Sequence, residues 1–290
     1  MKIGIVGKSH SKEAVEITLE LVEWIRSRDI EVFVERELGL EAGLGKSVNR
    51  DEIPELSDII LTLGGDGTFL AVARLASEYG VPILGINLGR LGFLTEVNRD
   101  EIYSMMEHLL SGDYSVEERN MLIATIIRGE EVIGDFVVLN DVVINKGAVA
   151  RIIDLQISIN GSNITTFQAD GLILSTPTGS TAYSLSAGGP IIYPTLPVTL
   201  ITPICPHTLS NRPILVSSDA VVKVKLLPTD TIDIFLTLDG QGGIPLRMGD
   251  VVEVKKAARP LKFIKSPFID YFKILKRKLG WGEGYGENSG

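Results

Sequence analysis

Apolar and polar positions keep one rhythm over the first part of this chain and another over the rest. Up to about Asp113, short and nearly continuous apolar runs at residues 2–7, 31–35, 58–63 and 82–87 alternate with stretches at 12–28, 69–79 and 99–110 whose apolar residues recur at helical spacing. Runs of the first kind suit strands buried on both faces of a parallel sheet, and the alternation predicts helices covering that sheet. Residues 38–50 are rich in glycine and show neither period, which predicts a surface loop near a ligand.

Beyond Asp113 the pattern shortens to strand-length segments bounded by turn signals, at 122–127, 136–145, 152–160, 163–167, 171–175, 221–227, 232–238 and 251–255. Asn160-Gly161 between two such runs is a type I′ hairpin signal, and 227–233 turns through Pro228. This half reads as mostly antiparallel β. Helical spacing returns at 269–279, and the glycine-rich residues 280–290 are expected to be a disordered tail. The expected domains are an α/β unit over 1–117, with 268–279 packing back on it, and a β-rich unit over 118–267. No internal repeat stands out.

Charge and cysteine content narrow the partners. A formal charge of −9 argues against a nucleic-acid surface, which needs a basic stripe to neutralise phosphates. The lone Cys205 excludes a disulfide framework and any multi-cysteine metal site, which fits the cytoplasm. The long apolar stretch 190–206 is broken by Pro194, Pro197 and Pro203, so it does not read as a membrane helix.

Three constellations carry candidate chemistry. Gly64-Gly65-Asp66-Gly67-Thr68 lies where a strand empties into a helix, the place at which open α/β sheets bind ligands and helix N–H groups favour anions. Glycine there offers access to positive φ and room for a phosphate against bare backbone. Asp66 is unfavourable beside an anion unless it does chemistry or holds a cation; the plain alternative is a turn aspartate capping the helix. Asn140-Asp141 interrupts a β-rich run without glycine or proline, and its donor and acceptor set matches the vicinal hydroxyls of a ribose; a bulge or hairpin turn is the plain alternative. Residues 170–184 end a strand in a dense set of hydroxyls with Tyr183 among them, suited to a polar ligand with a flat ring. No histidine stands in a context that would activate a serine, so a hydrolase triad is not expected. Lys146 and Arg151 bracket a turn and would suit a diphosphate, whereas Asp239-Gly240-Gln241 reads as a hairpin turn.

Taken together, Gly64-Gly65-Asp66-Gly67-Thr68, Asn87-Leu88-Gly89, Asn140-Asp141, Asp170-Gly171, the run Thr176-Pro177-Thr178-Gly179-Ser180-Thr181-Ala182-Tyr183-Ser184 and Arg212-Pro213 resemble, in order and spacing, the motif series of NAD kinases. The Gly-Gly-Asp-Gly element alone is shared with lipid kinases, and the Thr-Pro-Thr-Gly-Ser-Thr-Ala-Tyr-Ser run discriminates. The resemblance implies phosphoryl transfer from ATP, or in some members polyphosphate, to the 2′-hydroxyl of the adenosine ribose of NAD. It implies a Rossmann-like parallel α/β amino-terminal domain, a larger and mostly antiparallel β-rich carboxy-terminal domain, a chain end returning to the first domain, and a homodimer or homotetramer. By the same resemblance Asp66 accepts the proton, Gly64, Gly65, Gly67 and Thr68 face phosphate, and Gly67 lies beside the dinucleotide. Asn140 and Asp141 hold the ribose, while Arg151 and Gln241 contact the ligand. Asp170, with Thr181, Ala182, Tyr183, Ser184, Leu185 and Ser186, lines the nicotinamide side and the adenine. Gln168 stands where some members carry a basic residue tied to strict preference for NAD over NADH.

The residues agree with that chemistry. A sugar hydroxyl is a weak nucleophile at neutral pH, and a carboxylate within reach can take its proton as attack proceeds. No protein cage for a metal is visible in the sequence, so Mg²⁺ or another divalent cation is expected to arrive on the nucleotide phosphates. A lipid kinase sharing the glycine element would show an apolar entry surface, which the hydroxyl-rich loops oppose. A dinucleotide sensor without turnover would lack the acid, and Asp66 is present.

Overall fold

A strand covered on both faces must be apolar throughout, and Ile59–Gly64 and Ile83–Asn87 are buried at every residue. The computed structural model describes residues 1–147, 152–208, 211–228 and 233–280. It divides the chain into Met1–Glu118 with Leu261–Gly290, and Arg119–Pro260.

In the first unit Lys2–Gly7 pairs in parallel with Glu31–Val34 and with Ile59–Gly64, and Ile59–Gly64 pairs in parallel with Ile83–Asn87. Helix Lys12–Arg26 is capped by Ser11, whose side chain accepts the Ala14 N–H, and it buries Ile17, Leu21 and Ile25 against the sheet. The chain end returns as a strand and not only as a helix. Leu261–Ile264 lies inside this sheet, parallel to Ile83–Asn87 and next to Val116–Arg119, before helix Tyr271–Leu279. Phe263 on that strand is fully buried against Phe69, with ring centroids 5.5 Å apart.

Residues 38–50 are not the plain loop expected. Helix Arg36–Glu41 buries Leu38, and Val48 forms a parallel bridge with Glu35, so the segment is tied to the edge of the sheet. Leu38 fills the space left by Gly7, where a Cβ would come within 2.7 Å of its Cδ2. A stretch this short and glycine-rich leaves no periodicity to read.

The second unit is a sandwich of two six-stranded antiparallel sheets. One runs in the order Ser162–Ala169, Ile153–Ile159, Val222–Leu226, Val251–Lys256, Leu122–Arg128, Glu131–Val138. The other runs Ile214–Ser217, Val198–Ile204, Gly171–Ser175, Asp141–Lys146, Ile234–Leu238, Gln241–Leu246. Alternate residues of both sheets form one core that includes Ala124, Leu155, Val224, Ile144, Leu172 and Leu236. The run 136–145 is therefore two strands in different sheets, separated by Leu139-Asn140. Val198–Ile204 was hidden by Pro203 within it and by Pro194 and Pro197 just before it. Pro203 is tolerated because Ile214–Ser217 pairs only with residues 198–201, so the missing N–H faces no ladder on that side. Asn160 and Gly161 take φ of 50° and 83°, as the type I′ reading requires. Of the expected tail, only Gly280, the left-handed cap of the last helix, lies among the described residues.

Removing the Phe263 ring is expected to cost about 3–5 kcal/mol in denaturant unfolding of Phe263→Ala. The exposed Phe272→Ala should change stability by no more than about 0.5 kcal/mol. Equal effects would mean that the returning strand is not an integral part of the sheet.

Candidate functional site

The glycine turn is built without left-handed backbone. Helix Asp66–Tyr79 begins at Asp66 itself, three residues before its apolar periodicity starts, with Gly65 at the cap in extended conformation. None of Gly64, Gly65 and Gly67 has positive φ. Their use is spatial. A Cβ on Gly64 would collide with Thr68 Oγ1, whereas Cβ atoms on Gly65 and Gly67 would meet no protein atom within 4 Å, leaving bare backbone open beside the first helical turn. The Asp66 carboxylate accepts the Phe93 N–H (2.9 Å), the Leu94 N–H (3.0 Å) and the Thr95 hydroxyl (3.3 Å). Gly92 makes room for it, since a Cβ there would overlap Asp66 Oδ1. Asp66 thus does not cap its own helix; the loop after Ile83–Asn87 holds it.

In the second unit Asn140 and Asp141 sit where the chain leaves one sheet and enters the other. All the polar backbone of this corner is engaged. Asp239 accepts the N–H groups of Leu139 (2.9 Å), Asn140 (2.7 Å) and Asp141 (3.1 Å). From the other side the Thr176 hydroxyl donates to Leu139 O (2.6 Å), and Thr176 N–H and the Ser175 hydroxyl donate to Asn140 O (2.9 and 3.1 Å). Gly179 lies against Asn140 so closely that a Cβ would overlap its backbone. Asp239 belongs to the hairpin turn Asp239-Gly240, with φ of 50° and 70°. The hairpin reading holds, yet the turn is also structural support for the site, which the sequence did not reveal.

Asn140, Asp141, Ala182, Tyr183, Thr237, Asp239 and Gly240 line a cavity of about 320 Å³ together with Val143 and Asn145. Burial and the neighbouring Asp239 push the Asp141 carboxyl up to about 7, although the Tyr183 N–H bonds to it; burial likewise raises Asp239, against the pull of its three amide donors. Two carboxylates this near each other resist carrying two charges.

The hydroxyl-rich loop divides in two. Ser175, Thr176, Ser180 and Ser184 point inward, Ser180 bonding Pro177 O and the Ile192 N–H and Ser184 bonding Thr202. Thr181, Ala182, Tyr183, Leu185 and Ser186 are partly or fully exposed, and Tyr183 offers a ring that is 45 % exposed. Gln168 and Asp170 lie elsewhere. Asp170 is at the Lys146 end of the strand pair, with Lys146 Nζ 3.4 Å away, whereas Ser175 pairs with Asp141 at the opposite end, about 17 Å along the strand. Gln168 is exposed on the outer strand Ser162–Ala169, and Gln241 is exposed where Gln241–Leu246 leaves the hairpin. Arg151 lies outside the described residues. No group of three metal-binding side chains occurs among the described residues, and no helix among them is long and apolar enough to cross a membrane.

The chain is similar to known proteins over both units. Residues 3–114 match the ATP-NAD kinase N-terminal domain and residues 139–266 the ATP-NAD kinase C-terminal domain. The chain is 52% identical over 282 residues to a NAD kinase of Geotalea daltonii and 51% identical over 283 residues to one of Syntrophotalea carbinolica, each covering 97% of this chain and 99% of the relative. Among solved structures it is similar to yeast NADH kinase complexed with NADH, with a TM-score of 0.91 and 26% identity over 100% of this chain and 90% of that one. A NAD kinase from Archaeoglobus fulgidus in complex with ATP shares the fold, with a TM-score of 0.72 at 23% identity over 97% of each chain.

A carboxyl raised from 3.8 to about 7 stays protonated in the fold at pH values where the unfolded chain has already ionised. Its contribution to stability is therefore complete below about pH 4 and is lost as pH rises through 7. Asp141→Asn, which cannot ionise, is expected to melt higher than the parent at pH 8, with the gap closing toward pH 4. A gap independent of pH would mean that Asp141 ionises normally.

Proposed function

The chain belongs to the NAD kinase family and is a NAD kinase, and from this we propose the roles of its residues. Asp66 is the proton acceptor for the adenosine ribose 2′-hydroxyl as it attacks the terminal phosphorus of ATP. The observation that carries this is the fixed carboxylate at the head of a helix whose neighbouring glycines leave open backbone. An oxygen whose other lone pairs are occupied by amide donors is held in one orientation, which makes attack depend on placement and not on chance encounter. Gly64, Gly65, Gly67 and Thr68 present backbone to phosphate, and the loose transition state of phosphoryl transfer gains from such oriented N–H groups. When bound, Mg²⁺ neutralises phosphate charge. With no group of three metal-binding side chains among the described residues, a cation would keep its phosphate ligands and waters, and Asp66 is the residue that would face it.

Asn140 and Asp141 hold the ribose hydroxyls at the cavity they line, with Tyr183 giving a stacking face and Ala182 close backbone. Thr181, Ser184, Leu185 and Ser186 form the rest of that loop. Gln168, Asp170, Arg151 and Gln241 are the further dinucleotide contacts expected from the family. Yeast NADH kinase, similar in fold over the whole chain, was solved with the reduced dinucleotide, and Gln168 here is not basic, so NADH is a second acceptor to be tested. The active form is a homodimer or homotetramer working in the cytoplasm.

Purified protein with ATP, Mg²⁺ and NAD is expected to form NADP. Asp66→Asn keeps one oxygen for Leu94 and Thr95, so it should fold and bind NAD while kcat falls about 10²- to 10⁴-fold. Parent-like turnover would remove Asp66 from the role of base. Running NADH and polyphosphate beside NAD and ATP fixes acceptor and donor in the same assay.

A further inference from the structure

A two-residue passage between the sheets of a sandwich has no ladder to satisfy its backbone. At Leu139-Asn140-Asp141 one side chain, Asp239, accepts all three successive N–H groups, and it does so from a turn about a hundred residues later. Asp239 N–H in return donates to Asp141 O at 3.0 Å. This is more than a hairpin needs, because a type I′ turn is satisfied by its own strands.

We propose that Asp239 is a positioning residue for the dinucleotide: its carboxylate sets the backbone of the corner so that Asn140 and Asp141 both line the cavity. The inference rests on the reading that those two side chains take the ribose. Three observations support it. The three bonds fall on consecutive amides, which fixes the φ and ψ of the corner on both sides of Asn140. Asp239 itself lines the cavity beside Asp141 and Gly240, so loss of its carboxylate is felt there and not in the core. The carbonyls of the same corner are held by Ser175 and Thr176, leaving the amides as the part that only Asp239 controls. A carboxylate raised by burial and held by amides also places a negative charge next to Asp141, favouring its protonated form, which donates as well as accepts a hydrogen bond.

Asp239→Asn tests this with little change in shape. Asparagine tolerates the left-handed φ of this turn and keeps one acceptor oxygen, but it loses the charge and turns an NH₂ group toward one of the amides. Steady-state kinetics with NAD and ATP varied separately, and calorimetric titration with NAD, are expected to show KM and Kd for NAD raised about tenfold, with KM for ATP within about twofold of the parent. Unchanged NAD constants, or equal rises for NAD and ATP, would overturn the proposal. Asp239→Gly, which also suits the turn, is the second variant; if neither folds, Asp239 is structural and the proposal fails. Asp141→Asn measured in parallel separates the two levels of the argument. If it weakens NAD while Asp239→Asn does not, the positioning role alone is wrong; if it leaves NAD binding unchanged, the ribose reading itself is wrong.

Discussion

Backbone hydrogen bonding at the corner Leu139-Asn140-Asp141 is the constraint around which the second unit is organised. Strands in the middle of a sheet satisfy each other, but a chain crossing to the opposite sheet buries three amides and two carbonyls outside any ladder. Each such group left unpaired costs about 1–3 kcal/mol. Two distant segments answer that demand. The hairpin of Ile234–Leu238 and Gln241–Leu246 brings Asp239 to the amides, and Gly171–Ser175 ends with Ser175 and Thr176 at the carbonyls. The strand order follows: Asp141–Lys146 lies between these two elements in its sheet.

The first unit solves a related problem with the same chemistry. Asp66 also receives consecutive backbone N–H groups, from Phe93 and Leu94, across the sheet from its own helix. In both places a carboxylate is immobilised by main chain, which is rigid, and not by a long cationic side chain, which is not. The two carboxylates differ in what remains for a ligand. Asp239, partly buried like Asp66, spends its oxygens on three amides, so it acts through the corner it holds. Asp66 is only partly buried, and the bare glycines beside it leave its surroundings open. Gly92 and Gly179 serve as clearance for these contacts, each lying where any side chain would collide with the functional residue or its backbone.

Much of this was legible in the chain. Alternating apolar runs and helical spacing gave the four central strands and the long helices of the parallel unit near their observed bounds, because strands buried on both faces and amphipathic helices write their periods directly. The short elements 36–41, 53–56, 97–98, 116–119 and 261–264 went unread. The antiparallel unit was read as a class but not as a topology. Its missed strands were 198–204, interrupted by a proline that the short neighbouring strand accommodates, and 214–217 and 241–246, which are too exposed or too rich in glycine to show alternation. Asn140-Asp141 was legible as an anomaly, since neither residue suits a strand interior. That the anomaly is a crossing between sheets was not, because the reason lies in residues 35 and 100 positions away. Hydroxyls misled in the opposite direction. A Ser/Thr-rich loop reads as ligand-facing, yet Ser175, Thr176, Ser180 and Ser184 are consumed by backbone and by each other's neighbourhood, and only pairing partners distinguish the two uses.

The electrostatics of the site then follow from these hydrogen bonds. The chain carries a net charge of −9, and Asp66, Asp141 and Asp239 are all at least partly buried among backbone donors. Charge at such a place is tolerable if it is neutralised without competing for the ligand. Backbone N–H groups do this for Asp66 and Asp239, since each is a fixed partial charge that cannot swing toward a phosphate as a lysine would. Asp141, with only the Tyr183 N–H and a second carboxylate beside it, takes the other route and holds its proton up to about pH 7. Near neutral pH Asp141 therefore keeps a carboxyl able to donate as well as accept, beside Asp239, whose carboxyl burial also raises against the pull of its amide donors. The acidic corner of the second unit is thus held by main-chain donors, which fix a carboxylate in place without adding a mobile cation beside it.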